Sequence, residues 1–341
     1  MSAFEFDVAV LIGRFQPFHK GHAALLDKAL EMAPRVVIVL GSALQARSAK
    51  NPFTWEERAA MIATTLGEEQ QSRLSFLPMR DYYDDQRWAE SVLSLVKPLC
   101  ATSDKVALVG YLKDASSQYL NRFPDWEFIG ASQQGDFDAT SVRQIYFEGD
   151  DAQVTQTLLS GLVPAQIGHY LKGWARLPHY ARMRAEHHAV EESVRKYGRG
   201  PFVTVDAVVT AAEHVLLIRR GGTPGNGLLA IPGGYLEPRE RVLQGAIREL
   251  REETGLGILD STMEAALQGV AVFDHPDRSQ RGRNITHAHF FALKQARPPQ
   301  VEAADDAAET HWVPIDELVA MEDQFFSDHF NILNHFLHLT P

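Results

Sequence analysis

Over the first half of the chain, short apolar runs alternate with stretches of helical periodicity. DVAVLI at 7–12, RVVIVL at 35–40 and KVALV at 105–109 are nearly continuous in apolar residues, which predicts buried strands. The intervening segments, including 21–32 and 55–66, carry apolar positions at helical spacing with few breakers. Strands alternating with helices predict a parallel sheet with right-handed crossovers, an α/β doubly wound domain over 1–172. Ligands of such sheets bind beyond the carboxyl ends of the strands.

Residues 151–172 continue the helical pattern with a Gly-Pro interruption near 161–164. A polar, Arg- and His-rich stretch follows at 176–201, and 173–201 is expected to be a connector, most simply a solvated helix. From 202 the pattern changes. FVTVDAVVT (202–210), HVLLIRR (214–220), GVAVFD (269–274) and AHFFALK (288–294) read as strands flanking one helix within 234–256, with a last helix around 322–338. This predicts a second, α+β domain over 202–341.

The length of 341 residues and an apolar share of 45% allow two or three domains with sizeable cores. A net charge of −11 argues against a general nucleic-acid binder, although local Arg and Lys clusters can still receive nucleotides. Cys100, the single cysteine, excludes an intrachain disulfide framework and thiolate-cluster metal sites. The first residues lack the pattern of a signal peptide, and no apolar run is long enough to span a bilayer. A soluble, cytoplasmic protein is the expectation, without a membrane partner; homo-oligomerisation is left open.

The most informative run is GYLEPRERVLQGAIRELREETGL at 234–256. Glu249, Glu252 and Glu253, spaced i, i+3 and i+4, fall on one face of a helix, while Leu243, Ala246, Ile247 and Leu250 form a neighbouring apolar stripe. Like charges this close repel by about 0.2–0.5 kcal/mol per exposed pair, so a compensating cation is expected. A hard ion with oxygen ligands, such as Mg²⁺ with Mn²⁺ as an alternative, suits three carboxylates and also binds phosphates. The run matches the Nudix box of nucleoside-diphosphate hydrolases: Gly234, five residues, Glu240, seven residues, then Arg248 to Leu256. The resemblance makes Glu249, Glu252 and Glu253 metal ligands, with Glu253 also catalytic.

A second constellation follows the first strand: Gly13, Arg14, Phe15, Gln16, Pro17, Phe18, His19, Lys20, Gly21 and His22. A helix starting near Gly21 would offer free N–H groups and about half a positive charge to a phosphate, with His19 and His22 beside it. Neither a P-loop nor a dinucleotide fingerprint occurs in this stretch. His-x-Gly-His in this place resembles the nucleotidylyltransferase superfamily, with a Rossmann-like fold. Two further segments are similar: Asn51 to Arg58, and Asp138 to Arg143, where Asp-Ala-Thr replaces the usual hydroxyl-rich triplet, so that Thr140 and Arg143 carry over.

Within the superfamily, GRFQPFHKGH, KNPFT and RDYYDDQRW are most similar to nicotinamide mononucleotide adenylyltransferases of the archaeal-like type. The resemblance implies His19, His22 and Arg143 at the phosphates as catalytic groups, with Gly13, Arg14, Phe15, Lys50 and Thr140 lining them. Asp81 and Trp88 would hold the pyridine nucleotide, and Lys113 would lie by ATP. Joined to a Nudix domain, such a chain resembles the bacterial bifunctional adenylyltransferase and Nudix hydrolase proteins. That family implies ATP, nicotinamide mononucleotide and ADP-ribose as small-molecule partners. Arg283, in Gly282 to Thr286, is similar to a segment near the substrate in ADP-ribose-type members. The hydrolytic base stays open among Glu302, Asp305, Asp306 and Glu309. Also open are another phosphate acceptor for the transferase, a sensor role or another nucleoside diphosphate for the Nudix domain, and the amidated against the acid mononucleotide.

Overall fold

In the computed structural model, which describes residues 4–111, 122–131 and 137–340, the chain divides into two compact units, Met1–Arg184 and Ala185–Pro341. The division falls inside the segment 173–201.

The first unit runs β1 (Val8–Gly13), α1 (Lys20–Met32), β2 (Arg35–Leu40), α2 (Trp55–Thr64), α3 (Glu68–Gln71), β3 (Leu74–Pro78), α4 (Asp85–Val96), β4 (Val106–Gly110) and β5 (Glu127–Gly130). It continues with α5 (Ala139–Glu148), α6 (Ala152–Leu162) and α7 (Ala165–Trp174), and α8 (Pro178–Tyr197) carries the division. The helical pattern at 151–172 breaks into α6 and α7 at Val163–Pro164, where proline ends the first helix and opens the second. All five strands pair in parallel in the order β3-β2-β1-β4-β5. Strand order therefore reverses beside β1, whose two neighbours are β2 and β4, and such a switch point opens a crevice at the carboxyl ends. Alternate residues of β1 feed opposite cores: Ala9 and Leu11 join Leu26, Ile38 and Phe147, whereas Val8 and Val10 join Val37, Val92 and Leu108.

The second unit holds β6 (Phe202–Ala211), β7 (His214–Arg220), β8 (Leu229–Ala230), β9 (Gly233–Tyr235), α9 (Val242–Thr254) and α10 (Asp260–Ala266). It is completed by β10 (Leu267–Phe273), β11 (Asn284–Leu293), β12 (Ala307–Pro314) and α11 (His329–Leu337). The main sheet has the order β10-β11-β6-β7-β12, with β8 paired to β7 and β9 to β6. Ala207 and Val209 of β6 pack with Ile247 and Leu250 of α9, and Val208 packs with Ile332 and Leu333 of α11. Ile247 and Leu250 are buried, each worth about 1.5–3 kcal/mol in fixing the face that α9 turns inward. Gly255 ends α9 in the left-handed conformation (φ 60°) and donates its N–H to Arg251 O at 2.9 Å.

The last helix differs from the expected 322–338. A 3-10 stretch, Ile315–Gln324, precedes a turn, and α-helix begins only at His329.

Candidate functional sites

At the first site, the loop after β1 is locked from three directions. Gln16 exchanges two hydrogen bonds with the backbone of Phe53, donating to its O at 2.8 Å and accepting from its N–H at 3.0 Å. The Arg143 guanidinium donates to Gln16 O at 2.7 Å and to Thr140 Oγ1 at 3.3 Å. Arg58, fully buried, donates to the carbonyls of Arg14, Gly41 (2.7 Å) and Ser42 (3.2 Å), so one side chain ties the carboxyl ends of β1 and β2 together. Burial lowers the Arg58 pKa to about 10, which leaves it charged at neutral pH.

His19 caps α1. Its Nδ1 accepts from the His22 N–H at 3.3 Å, and the His22 Nδ1 accepts from the His19 N–H at 3.3 Å. With both Nδ1 atoms accepting, each neutral ring carries its proton on Nε2. The two rings stack with centroids 3.6 Å apart, and Phe15 closes on His22 edge-on at 4.7 Å. Gly21 leaves room for this: a Cβ there would approach the His19 ring to 3.1 Å.

Around this pair, Arg143 and the exposed Arg14 repel each other electrostatically, and burial, the larger effect, takes the Arg143 pKa down to about 10. The net result is local positive charge at a helix N-terminus, a setting for phosphate. Gly13 closes β1 under the Phe15 ring, and Lys50 is half-buried in the loop after β2. Asp81 accepts from Ser42 N at 3.0 Å, from Ser42 Oγ and from Gln45 Nε2 at 3.1 Å. Trp88, on α4, is half-buried and meets Phe123 edge-on at 6.1 Å. Lys113 lies outside the described residues. Asp138, where the usual pattern has a hydroxyl residue, caps α5 by accepting from Ser141 N at 2.9 Å.

At the second site, Glu249, Glu252 and Glu253 lie on the last turns of α9. Arg248 pairs with Glu249 (3.0 Å) and Glu252 (2.7 Å). It is itself held by a two-point contact to Glu240, at 3.0 Å through Nε and 2.7 Å through Nη2. Glu240 therefore positions the arginine rather than facing the site. Glu253 is buried and accepts from the Gly233 N–H at 2.9 Å.

Burial pushes the Glu253 pKa up to about 8, and the neighbouring Glu249 and Asp206 push the same way. Glu249 is also raised, chiefly by burial and further by Glu252 and Asp305. Among the described residues no three His, Cys, Asp or Glu side chains are gathered as a metal cage. The donor set nonetheless fits a hard divalent cation, since desolvated, mutually repelling carboxylates are what such an ion relieves. Glu249 and Glu252 would hold it on release from Arg248, together with Glu253.

One arginine beside these glutamates went unnoticed in the sequence. Arg220, at the end of β7, feels the charges of Glu253, Asp306, Glu186 and Arg281. Its guanidinium lies 4.3 Å from the centre of the Phe326 ring, and Glu186 steadies the adjacent turn by accepting twice from Gly225 N, at 2.8 and 3.0 Å. Arg281 has a buried Nε without a hydrogen-bond partner. Arg283 is turned to Asp274, donating to its carbonyl, and its own N–H bonds Arg199 O at 2.7 Å. Of the four acidic candidates beyond the box, all exposed, Glu309 is committed to His311 and Arg219, at 3.0 Å each. Asp305 and Asp306 are the two whose charge reaches Glu249 and Arg220.

Comparisons with known proteins match both units. Residues 200–336 match the NUDIX domain model, and residues 10–82 match the cytidylyltransferase-like model. A nicotinamide/nicotinic acid mononucleotide adenylyltransferase from Acinetobacter baylyi is 36% identical over 191 residues, 56% of this chain and 98% of that protein. The structure of a bifunctional NMN adenylyltransferase/ADP ribose pyrophosphatase from Francisella tularensis, complexed with AMP and a manganese ion, superposes with a TM-score of 0.88. The two share 32% identity, over 98% of this chain and 99% of that one. The chain belongs to the bifunctional NMN adenylyltransferase/ADP-ribose pyrophosphatase family. An ADP-ribose pyrophosphatase from Methanocaldococcus jannaschii is 31% identical over 118 residues, 35% of this chain and 64% of that protein.

In a family with two activities, the two constellations have separate chemistry: among the described residues one gathers cationic and N–H donors, the other carboxylates. Among the described residues no helix is long and apolar enough to cross a membrane.

Proposed function

We propose that the first unit joins ATP to nicotinamide mononucleotide and the second hydrolyses ADP-ribose. In the first reaction a phosphate oxygen of the mononucleotide attacks the α-phosphorus of ATP. The bond to the bridging oxygen breaks, and pyrophosphate leaves. No covalent enzyme intermediate is needed, so catalysis is positioning and charge stabilisation. The observation that carries this reading is the reciprocal capping of His19 and His22, which fixes both tautomers so that two Nε2–H donors stand at the N-terminus of α1. Arg143 and Arg14 add fixed positive charge, and Thr140 orients Arg143. Lys50 is assigned to the phosphates, and Asp81 and Trp88 to the pyridine nucleotide.

In the second reaction water attacks one phosphorus of the diphosphate, giving AMP and ribose 5-phosphate. Glu249, Glu252 and Glu253 would hold Mg²⁺, which would polarise the diphosphate and acidify water. The chain's own residues supply the rest: Arg220 meets the substrate's negative charge, Gly233 N–H orients Glu253, and Asp305, whose charge reaches Glu249, is assigned to take the proton. Arg283 is assigned to the substrate's outer part.

Incubating the protein with Mg²⁺, ATP and either the amidated or the acid mononucleotide, and separately with a panel of nucleoside diphosphates, tests both halves by chromatography of products. The reading expects a dinucleotide plus pyrophosphate in the first assay, and AMP from ADP-ribose in the second. Absence of dinucleotide with both mononucleotides, or cleavage of other diphosphates in preference to ADP-ribose, overturns the corresponding half.

A further inference from the structure

The Nudix box ends at Leu256, yet a turn some seventy residues later touches Arg220, Arg278 and Ile231, the last of them two residues before the Gly233 that binds Glu253. Between the 3-10 stretch and α11, Phe325 points into the core and packs on Phe330 at 5.8 Å. The next four side chains do something else.

Phe326 lies beneath the Arg220 guanidinium and against Gly225, where an added Cβ would come within 2.7 Å of its ring. Ser327 Oγ donates to Arg278 O, and Asp328 receives the Arg278 guanidinium at 2.8 and 3.0 Å in a pair buried on both sides. His329 Nδ1 accepts from the Ile231 N–H at 3.1 Å. Ile231 leads directly into Pro232 and Gly233, whose N–H holds Glu253. Burial and the surrounding guanidiniums of Arg278, Arg220 and Arg281 keep His329 unprotonated, so its Nδ1 remains an acceptor.

We infer that the turn Phe326–His329 is a positioning element of the hydrolase, in which Phe326 sets Arg220 for the substrate's diphosphate and His329 sets the backbone that orients Glu253. A turn serving only the core would not place a ring face under an arginine, nor spend a half-buried histidine on one backbone N–H. The third contact, Arg278 with Asp328, ties down the loop that carries Arg281, whose orphaned Nε is a donor awaiting an acceptor. The inference rests on the hydrolase assignment.

The test uses the full chain, Mg²⁺ and ADP-ribose, with three variants. Phe326→Leu keeps an apolar side chain but removes the ring face. It should raise KM for ADP-ribose about three- to tenfold with little change in kcat, as expected for loss of a cation–π support. His329→Leu strips the acceptor from Ile231 N–H and should lower kcat about tenfold, the consequence of an unsatisfied buried donor beside a catalytic group. His329→Asn restores an acceptor where Nδ1 stood and should recover most of that loss. Adenylyl transfer stays unchanged in all three. Wild-type KM in Phe326→Leu, or equal kcat in His329→Leu and His329→Asn, overturns the inference. If the wild-type chain fails to cleave ADP-ribose, it is the hydrolase assignment that fails.

Discussion

Gly234→Ala tests the proposed metal role of the Glu249 carboxylate apart from the rest of the fold. A Cβ on Gly234 would lie 2.6 Å from Glu249 Cδ and 2.7 Å from Glu249 Oε2. Ordinary carbon contacts sit near 3.5–4.0 Å, so the carboxylate must retreat by about 1 Å. The backbone of Gly234 is outside the left-handed region, and the atoms that must move are the far end of a flexible side chain, so the fold should lose under about 1 kcal/mol.

A 1 Å misplacement near the chemistry costs about 10²-fold in rate. The variant should therefore lose about 10²-fold in kcat/KM for ADP-ribose. Its half-saturation for divalent ion should rise about tenfold or more. Gly233→Ala provides the contrast. There the Cβ would come within 2.9 Å of Asp206 Cα, with Val205 O and Asp206 Oδ1 nearer still. Those atoms belong to the β6–β9 pairing and cannot withdraw, so about 1–3 kcal/mol of stability should go. AMP release followed across a metal titration, with thermal melts of both variants, separates the two effects. If Gly234→Ala saturates with metal at the wild-type concentration and turns over within about threefold of wild type, the placement of Glu249 at the metal is wrong.

His19→Ala removes both a helix cap worth about 1 kcal/mol and an Nε2–H donor, whereas His19→Asn keeps a capping side chain. Dinucleotide formation should fall about 10²-fold or more in both variants, and recovery in His19→Asn would make the residue a cap alone. Arg58→Met, which fits the buried volume but leaves the carbonyls of Arg14, Gly41 and Ser42 unserved, should cost about 3 kcal/mol or more, read as a lower melting temperature. A pH effect follows from His329. Its folded pKa is depressed, so below about 6.5 the unfolded chain binds a proton that the folded chain refuses, and stability falls with pH by up to about 1.4 kcal/mol per unit. Between pH 7.5 and 5.5 the Nudix unit should lose more stability in the wild type than in His329→Asn, and equal losses would contradict the neutral ring.

Both folds and the two motif clusters could be read from residue order because they rest on local pattern. The runs at 35–40 and 214–220 are strands in the structure, and the spacing of Glu249, Glu252 and Glu253 requires a helix whatever surrounds it. β3, β5 and β12 were not legible for a common reason. β3 is only half-buried throughout, β5 is four residues long, and β12 lies at a sheet edge with polar residues along it, so none shows a clean apolar run. Residues acting through long-range contact were equally silent. Arg58 closes the segment Asn51 to Arg58 that the resemblance singled out, but its burial appears only when β1 and β2 end beside it. Arg220 sits in a strand of unremarkable composition, and its role depends on Phe326, more than a hundred residues away. Asp138 looked like a departure from the phosphate-binding pattern, and the structure uses it as a helix cap.

The central claim is that two independent reactions occupy two sets of residues in one chain. Assaying His22→Ala and Glu253→Gln side by side, each for dinucleotide synthesis and for ADP-ribose cleavage, tests it most directly. His22→Ala should lose synthesis and keep cleavage, and Glu253→Gln should do the reverse. A folded variant that loses both activities, or Glu253→Gln cleaving ADP-ribose at the wild-type rate, would contradict the account.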